Sequence, residues 1–518
     1  MLATALSAAL VGLDAHPVRV EVEAGRGVAS FELVGLAEVS VRESRVRVKS
    51  ALAHVGVHMS EYRIVVNLAP ADLRKSGSGF DVAIAAATLA ALGVVPYESL
   101  HGILFLGELS LTGTVHAIRG VLPQLLGARK RGTVRAIVPE GNGAEAALVD
   151  GIEVGTVESI GKLLDSLRGA VALPSAVGIP SGGGGALLDD LRDVRGQLAA
   201  RRALEVAAAG GHNLLFIGPP GAGKTMLARR LPGILPPLTT AEALEVTAIH
   251  SVAGLLHASR GLVPTRPFRA PHHTVSEVGL VGGGDTPRPG EVSLAHHGVL
   301  FLDELAEFRR AGLEALRQPL EDGFVTISRA QAKATFPARP LVIGAMNPCA
   351  CGFRGDGTDR CVCSPERVRA YRARLSGPLL DRIDIHLVLP PVSVACLQRG
   401  EGGELTQVVR ERVERARTMQ RERAMKGEVQ SSTNALLAPR DLERVTALCE
   451  RGSSLLAAAV SRLALSARAY GKILRVARTL ADLDASVAVG PNHVAEAVGY
   501  RTLDRSASAP ARGSAPSI

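Results

Sequence analysis

The sequence predicts an α/β chain with a P-loop nucleotide-binding core and a helical lid, preceded by a separate α+β domain. Three observations predict it. The apolar run Leu214-Leu-Phe-Ile breaks into Gly218-Pro219-Pro220-Gly221-Ala222-Gly223-Lys224-Thr225 and then into the helical Met226-Leu-Ala-Arg-Arg. Two further apolar runs end in polar residues, Val299-Leu-Phe-Leu in Asp303-Glu304 and Leu341-Val-Ile-Gly-Ala-Met in Asn347. Ahead of residue 168, β-branched runs such as Val18-Arg-Val-Glu-Val-Glu and Arg63-Ile-Val-Val-Asn alternate with Ala-rich stretches such as Asp81 to Leu92, an α+β pattern.

A chain of 518 residues has room for roughly three domains, and 47% hydrophobic content supplies each with a core. The expected divisions are an α+β domain at 1–168, a Gly/Pro-rich linker at 169–186, a nucleotide-binding core at 187–395, a helical lid at 396–505 and a disordered tail at 506–518. Apolar runs fall short of the about 18 residues of a membrane span, so no membrane partner is expected, and Met1-Leu-Ala-Thr-Ala-Leu reads as a first strand rather than an export leader. Six cysteines, four of them within fifteen positions, do not resemble the framework of a small secreted protein; a reducing cytoplasm and one metal site fit better. The formal charge of +9 favours polyanionic partners, although arginine-rich composition alone produces the same balance.

Glycines at 218, 221 and 223 let the backbone turn tightly with its N–H groups inward, at a helix N-terminus that favours anions. Residues Gly218 to Gly223 are therefore expected to cradle ATP, with Lys224 on the β- and γ-phosphates and Thr225 on Mg²⁺. Asp303 suits the same Mg²⁺ and Glu304 suits polarising a water as general base. Paired acids at a strand end are commonly a solvated turn; beside this cradle the chemical reading prevails. Asn347 is a neutral polar group suited to orienting the attacking water. Arg382, in Ser376-Gly-Pro-Leu-Leu-Asp-Arg-Ile-Asp, ends a predicted helix and suits stabilising transition-state charge on a neighbour's nucleotide. Arg468, in the lid helix opened by Ser466, is expected to touch the same nucleotide, with a surface salt bridge as the alternative.

Leu73-Arg-Lys-Ser-Gly-Ser-Gly-Phe-Asp and Gly107-Glu-Leu-Ser-Leu-Thr-Gly-Thr-Val resemble the protease domain of Lon and its ribosomal-S5-like relatives. That resemblance puts the nucleophile position on Gly79 and the partner lysine on Leu122, so the dyad is missing and no acyl chemistry is expected. Ser76, Ser78 and Lys75 lie close enough to question the alignment, but no lysine follows Leu122 until Lys130. The nucleotide-binding strings, in their order, look like those of AAA+ ATPases. The chain as a whole, to about residue 505, resembles the Mg-chelatase-like YifB/ComM family. That resemblance is carried by Arg266-Pro-Phe-Arg-Ala-Pro-His-His-Thr, by Pro287-Arg-Pro-Gly-Glu-Val-Ser-Leu-Ala-His-His-Gly-Val-Leu-Phe-Leu-Asp-Glu-Leu, and by the string around Arg382. It implies a homohexameric ring acting on single-stranded or branched DNA, with ATP-driven helicase or branch-migration activity that aids integration of incoming DNA during natural transformation. Nothing in the spacing of the residues shows that by itself.

Cys349-Ala-Cys351 and Cys361-Val-Cys363 flank nine residues, and four thiolates brought together by such a loop suit tetrahedral Zn²⁺; free thiols or a redox pair are the alternatives. Phe324 to Phe336 reads as two short strands around a polar tip, and in related AAA+ motors a hairpin here faces the pore, which makes Arg329 and Lys333 candidates for DNA contact. The helix from Glu404 to Lys426 interleaves arginines with glutamates, a pattern that favours a solvated face over a DNA-binding stripe. Three readings follow in order: a DNA-remodelling ATPase, the motor subunit of a metal chelatase, and a Lon-like protease. A chelatase motor has no need of the first domain, and a protease needs the absent dyad.

Overall fold

The computed structural model describes residues 1–36, 38–178, 189–256, 261–329, 332–392, 398 and 402–503. The tail at 506–518, the second half of the expected linker and the 395/396 division lie outside them. Its first body is a sheet of β1 (Leu2–Val11), β2 (Asp14–Arg26), β3 (Ser30–Val34), β4 (Tyr62–Ala69), β5 (Ile103–Phe105), β6 (Arg135–Pro139) and β7 (Glu153–Val157), ordered β3-β4-β2-β1-β5-β6-β7. β1, β2 and β4 pair antiparallel, while β5, β6 and β7 run parallel. In β2 the valines at 18, 20 and 22 are fully buried and alternate with charged residues, as a sheet with one covered face requires. Helix α1 (Asp81–Ala91), apolar all round, is buried along its whole length.

Neither position of the missing dyad carries dyad chemistry. A Cβ at Gly79 would lie 2.9 Å from Ile118 Cδ1, and Leu122, in α2 (Val121–Lys130), is fully buried. The nearby hydroxyl and amine are engaged elsewhere: Ser78 donates to Glu108 and the buried Lys75 to the Pro70 carbonyl.

The expected linker does not begin as a free segment. Residues 173–176 run antiparallel beside β7, with Thr156 N–H donating to Pro174 O and Ala176 N–H to Val154 O, both at 2.8 Å. The open edge of β7 offers backbone partners, and Leu173 packs against Gly155, so an edge strand wins over composition.

The second body is built on β8 (Leu214–Ile217), β9 (Phe268–Arg269), β10 (Val299–Leu302), β13 (Leu341–Met346) and β14 (Ile385–Val388), ordered β9-β10-β13-β8-β14 with every pair parallel. β8, β10 and β13 are buried at every residue, the continuous apolar run of a parallel sheet covered on both faces. β11 (Phe324–Arg329) and β12 (Ala332–Pro337) form the expected hairpin. Around the sheet lie α3 (Leu198–Gly210), α4 (Lys224–Ile234), α5 (Thr240–Ala253) and α6 (Pro365–Arg372), followed by α7 (Thr406–Met425), α8 (Glu450–Leu463), α9 (Ala467–Leu483) and α10 (Pro491–Gly499). One core joins Leu204 of α3, Leu214 and Phe216 of β8, Val413 of α7 and Ile473 of α9, so the later helices cover one face of the sheet. Between the bodies, Gly120 N–H donates to Ser251 O at 3.2 Å and Ser251 Oγ to Glu145 at 2.6 Å, joining α5 to the start of α2. Among the described residues no helix is long and apolar enough to cross a membrane.

Helix α7 exposes Glu411, Arg415, Thr418, Arg421 and Glu422, the solvated face its charge pattern suggests, and turns other arginines to the core. Arg417 and Gln420 donate to Ala208 O and Ala209 O, and Arg410 to Gly233 O. These carbonyls end α3 and α4, where backbone acceptors lack helical partners and the dipole favours cations. Arg412 and Arg423 pair with Glu205 and Asp482. The arginines fasten the later helices to the core.

Candidate active site

Strand β8 delivers the cradle and α4 begins at its end, with Gly221 and Gly223 at φ of +78° and +85°, a left-handed region where a side chain would be strained. Lys224 Nζ donates to Gly218 O at 2.7 Å, Pro219 O at 3.0 Å and Asn347 Oδ1 at 3.2 Å. Burial lowers the lysine's pKa, with Asp303 and Glu304 opposing that shift. Thr225 Oγ1 donates to Asp303 Oδ2 at 2.7 Å. Hydroxyl and carboxylate oxygens therefore converge at one point beside the cradle, a donor set that fits a hard cation such as Mg²⁺. Lys224, Thr225, Asp303 and Asn347 all follow the carboxyl ends of β8, β10 and β13, the edge of an open parallel sheet where ligands bind.

Glu304 follows at φ +51°, unusual for a side-chain-bearing residue, and its Oε2 lies 3.0 Å from His273 Nδ1. His273 belongs to the string Arg266–Thr274, for which sequence reasoning assigned no chemistry. Glu304 thus has a partner from another loop.

Arg382 and Arg468 lie elsewhere. Both line a groove of about 1440 Å³ together with Asn213, Gly298, Leu341 and Asp384. Those four residues stand at the amino ends of β8, β10, β13 and β14, so the groove is at the opposite edge of the sheet from Lys224. Arg382 donates to Glu321 and, at 2.9 Å, to Pro378 O; its own carbonyl accepts from Asn213 Nδ2 at 3.0 Å. Arg468 Nη1 is 3.6 Å from Asp381, and its side chain is mostly exposed. Beneath them Asp384 is buried between Lys472 at 3.1 Å and His212 at 3.3 Å. Burial pushes the Asp384 carboxyl up, but Lys472 and His212 outweigh it and hold the group well below the usual carboxylate range. Asn213, Asp384 and Lys472 were not singled out from the sequence; each is an isolated polar residue at an apolar boundary, with no motif of its own.

The four cysteines Cys349, Cys351, Cys361 and Cys363 come together, each sulfur within 4.8 Å of the others. Cys349 Sγ is 3.3 Å from Cys351 and 3.8 Å from Cys361, and Cys351 is 3.7 Å from Cys361. Disulfides are closed by bonds of about 2.0 Å, whereas a tetrahedral ion with metal–sulfur bonds of about 2.3 Å sets its sulfurs about 3.8 Å apart. The donor set fits zinc.

Glu245, His296 and His297 also converge, both Nε2 atoms lying 2.9 and 3.0 Å from Glu245 Oε2. His296 Nδ1 accepts from the Arg339 N–H at 3.1 Å, so Nε2 carries the proton and donates to the carboxylate. That cluster is a hydrogen-bond network, with burial pushing His296 down to about 4. Of the hairpin candidates, Lys333 is exposed opposite Ser328, and the side chain of Arg329 lies outside the described residues.

Three family models match the chain: magnesium chelatase, subunit ChlI, over residues 190–397; subunit ChlI of Mg-chelatase over residues 20–142; and magnesium chelatase, subunit ChlI C-terminal, over residues 403–501. The chain is 44% identical over 510 residues to the competence protein ComM of Haemophilus influenzae, covering 97% of this chain and 98% of that protein. It is 41% identical over 500 residues to the uncharacterized protein YifB of Escherichia coli, covering 96% of each. Likeness to Lon protease 2 of Bacillus subtilis is partial, 29% over 148 residues, covering 27% of this chain and 26% of that protein. With the nucleotide cradle, the acidic strand end and this near full-length likeness together, the chain belongs to the YifB/ComM family of Mg-chelatase-like AAA+ ATPases.

Proposed function

We propose that the chain is an ATP-hydrolysing ring motor that remodels DNA in the cytoplasm, by helicase or branch-migration activity on recombination intermediates during uptake of DNA. The observation that carries the reading is the near full-length likeness to a protein named for competence, over a chain whose cradle is complete in its phosphate and Mg²⁺ groups. In this reading Gly218 to Thr225 bind ATP, Thr225 and Asp303 hold Mg²⁺, Glu304 activates water and Asn347 orients it. Arg382 and Arg468, at the far edge of the sheet, serve the nucleotide of a neighbouring copy, which is the support for a closed ring, hexameric in the family resemblance. The net charge of +9 and the exposed Lys333 support a DNA partner. The four cysteines hold a structural Zn²⁺.

The chelatase-motor reading is favoured by the descriptions of all three family models, one of which covers the first body, so the presence of that body does not separate the two readings. The Lon-like reading has only the partial likeness, over positions that carry Gly79 and Leu122 in place of a dyad. The test is steady-state ATP hydrolysis by the full chain with none, linear, forked or four-way DNA, alongside DNA retention by Glu304→Gln in ATP. Stimulation by DNA, with ATP-dependent retention by the variant, is expected. ATP turnover indifferent to every DNA, with no retention, would overturn the DNA reading and leave the chelatase motor.

A further inference from the structure

The cysteine cluster is attached directly to the nucleotide pocket. Cys349 is fully buried two residues beyond Asn347, on the same exit from β13. The turn between the two cysteine pairs crosses to the cradle: at Gly352, φ +86°, a Cβ would lie 3.1 and 3.2 Å from Pro220 Cδ and Cγ and 3.7 Å from Asn347 Nδ2. Pro220 is part of the phosphate loop, and Asn347 Oδ1 accepts from Lys224. One short loop therefore abuts the cradle and the residue that bonds its lysine.

Little else shapes that loop. No helix or strand lies between Met346 and Pro365. Besides the sulfur contacts, its internal contacts include the turn bonds from Gly352 N–H to Cys349 O at 3.0 Å and from Asp356 N–H to Phe353 O at 3.3 Å, the bonds among Asp356, Thr358 and Arg360, and the Arg360 guanidinium over Phe353 at 4.4 Å. Fixing a segment without regular structure costs about 1–2 kcal/mol per residue in backbone entropy, and a metal held by all four thiolates is a crosslink that spans the whole loop.

We infer that the metal–thiolate knuckle is a positioning element of the ATPase site: metal at Cys349, Cys351, Cys361 and Cys363 seats Gly352 on Pro220 and fixes Asn347, so metal and nucleotide bind with positive linkage. The inference rests on the proposed ATP cradle and on zinc as the ligand of the thiols. Because binding linkage is reciprocal, nucleotide held in the cradle must also tighten the metal.

The experiment measures transfer of Zn²⁺ from the full-length protein to a chelator that leaves Mg²⁺ in place, with and without a saturating non-hydrolysable ATP analogue. Zinc content and binding of a fluorescent analogue are measured on the same sample. At equilibrium with the chelator, tightening of zinc by about 5- to 150-fold, the usual span of coupling between sites, is expected. Pro220→Ala keeps all four thiols and the turn at Gly352 but removes the ring atoms that meet it, so it should retain zinc, still bind the analogue at saturating concentration and lose the protection. A zinc that only stabilises the fold would leave the zinc affinity unmoved by nucleotide. Zinc and nucleotide both bound, with the equilibrium partition to the chelator unchanged, would overturn the linkage while sparing both underlying readings. Absence of zinc from freshly purified protein would overturn the metal reading and the inference with it. Failure to bind the analogue would overturn the ATP cradle, and likewise the inference.

Discussion

Replacing Arg382 by alanine separates a catalytic arginine from a surface ion pair by magnitude alone. The segment holding Arg382 is bonded to Asn213, just before β8, while Lys224 is bonded to Gly218 just after it. Five strand steps separate those two anchors, about 16 Å along the sheet, so Arg382 does not reach its own Lys224. If its partner is only the exposed Glu321, its loss should change turnover by less than about ten-fold. If it reaches a neighbour's γ-phosphate, the loss should be on the order of 10³-fold or more, about 4 kcal/mol of transition-state stabilisation, with nucleotide still bound. Mixing Arg382→Ala with Lys224→Ala then rebuilds some sites. In a random equal mixture about a quarter of interfaces pair an intact cradle with an intact finger, so hydrolysis should recover to about that fraction of wild type. The assay is steady-state phosphate release on mixed rings, with co-assembly verified by differently labelled subunits. A co-assembled mixture that stays inactive would refute the trans assignment.

Glu304→Gln should bind ATP and lose nearly all turnover, since the amide keeps the shape but takes no proton; unchanged phosphate release would remove Glu304 from that role. Purified protein should carry about one zinc per chain by metal analysis, lost in Cys361→Ser together with a lower melting temperature. Lys472→Met leaves the Asp384 carboxylate short of its cation and should destabilise the chain by about 3–5 kcal/mol in denaturant unfolding. Burial holds the imidazole of His386 well below its ordinary value, so the unfolded chain protonates first as the pH falls. The stability this group contributes is full above about pH 6.5 and drops below it by up to about 1.4 kcal/mol per pH unit; melts at pH 7 and 5 should differ less in His386→Leu than in wild type.

The cradle was legible because its chemistry is local: an apolar strand, glycines that turn, and a helix start lie in one run from Leu214 to Ile234. Strand ends carrying Asp303 and Asn347 were readable for the same reason, since parallel strands deliver their next residues to a common edge. The meeting of His273 with Glu304 is not local. It depends on the loop after β9 crossing to the end of β10, and a pair of histidines in sequence says nothing of that. Charge alternation describes the exposed face of α7, with Arg415 and Arg421, but not Arg410 and Arg417, which answer the carbonyl ends of α4 and α3. Residues 173–176 likewise took their structure from the free edge of β7, a partner that composition does not reveal.

In the proposed function, ATP hydrolysis at this cradle drives rearrangement of branched DNA. It is tested most directly by following a fluorescently labelled four-way junction with wild-type protein and with Glu304→Gln, each with ATP, and with wild-type protein without nucleotide. Conversion of the junction to its product duplexes is expected with wild-type protein and ATP, and none in the other two samples. Wild-type protein that hydrolyses ATP and binds the junction yet leaves it intact would overturn the DNA-remodelling function.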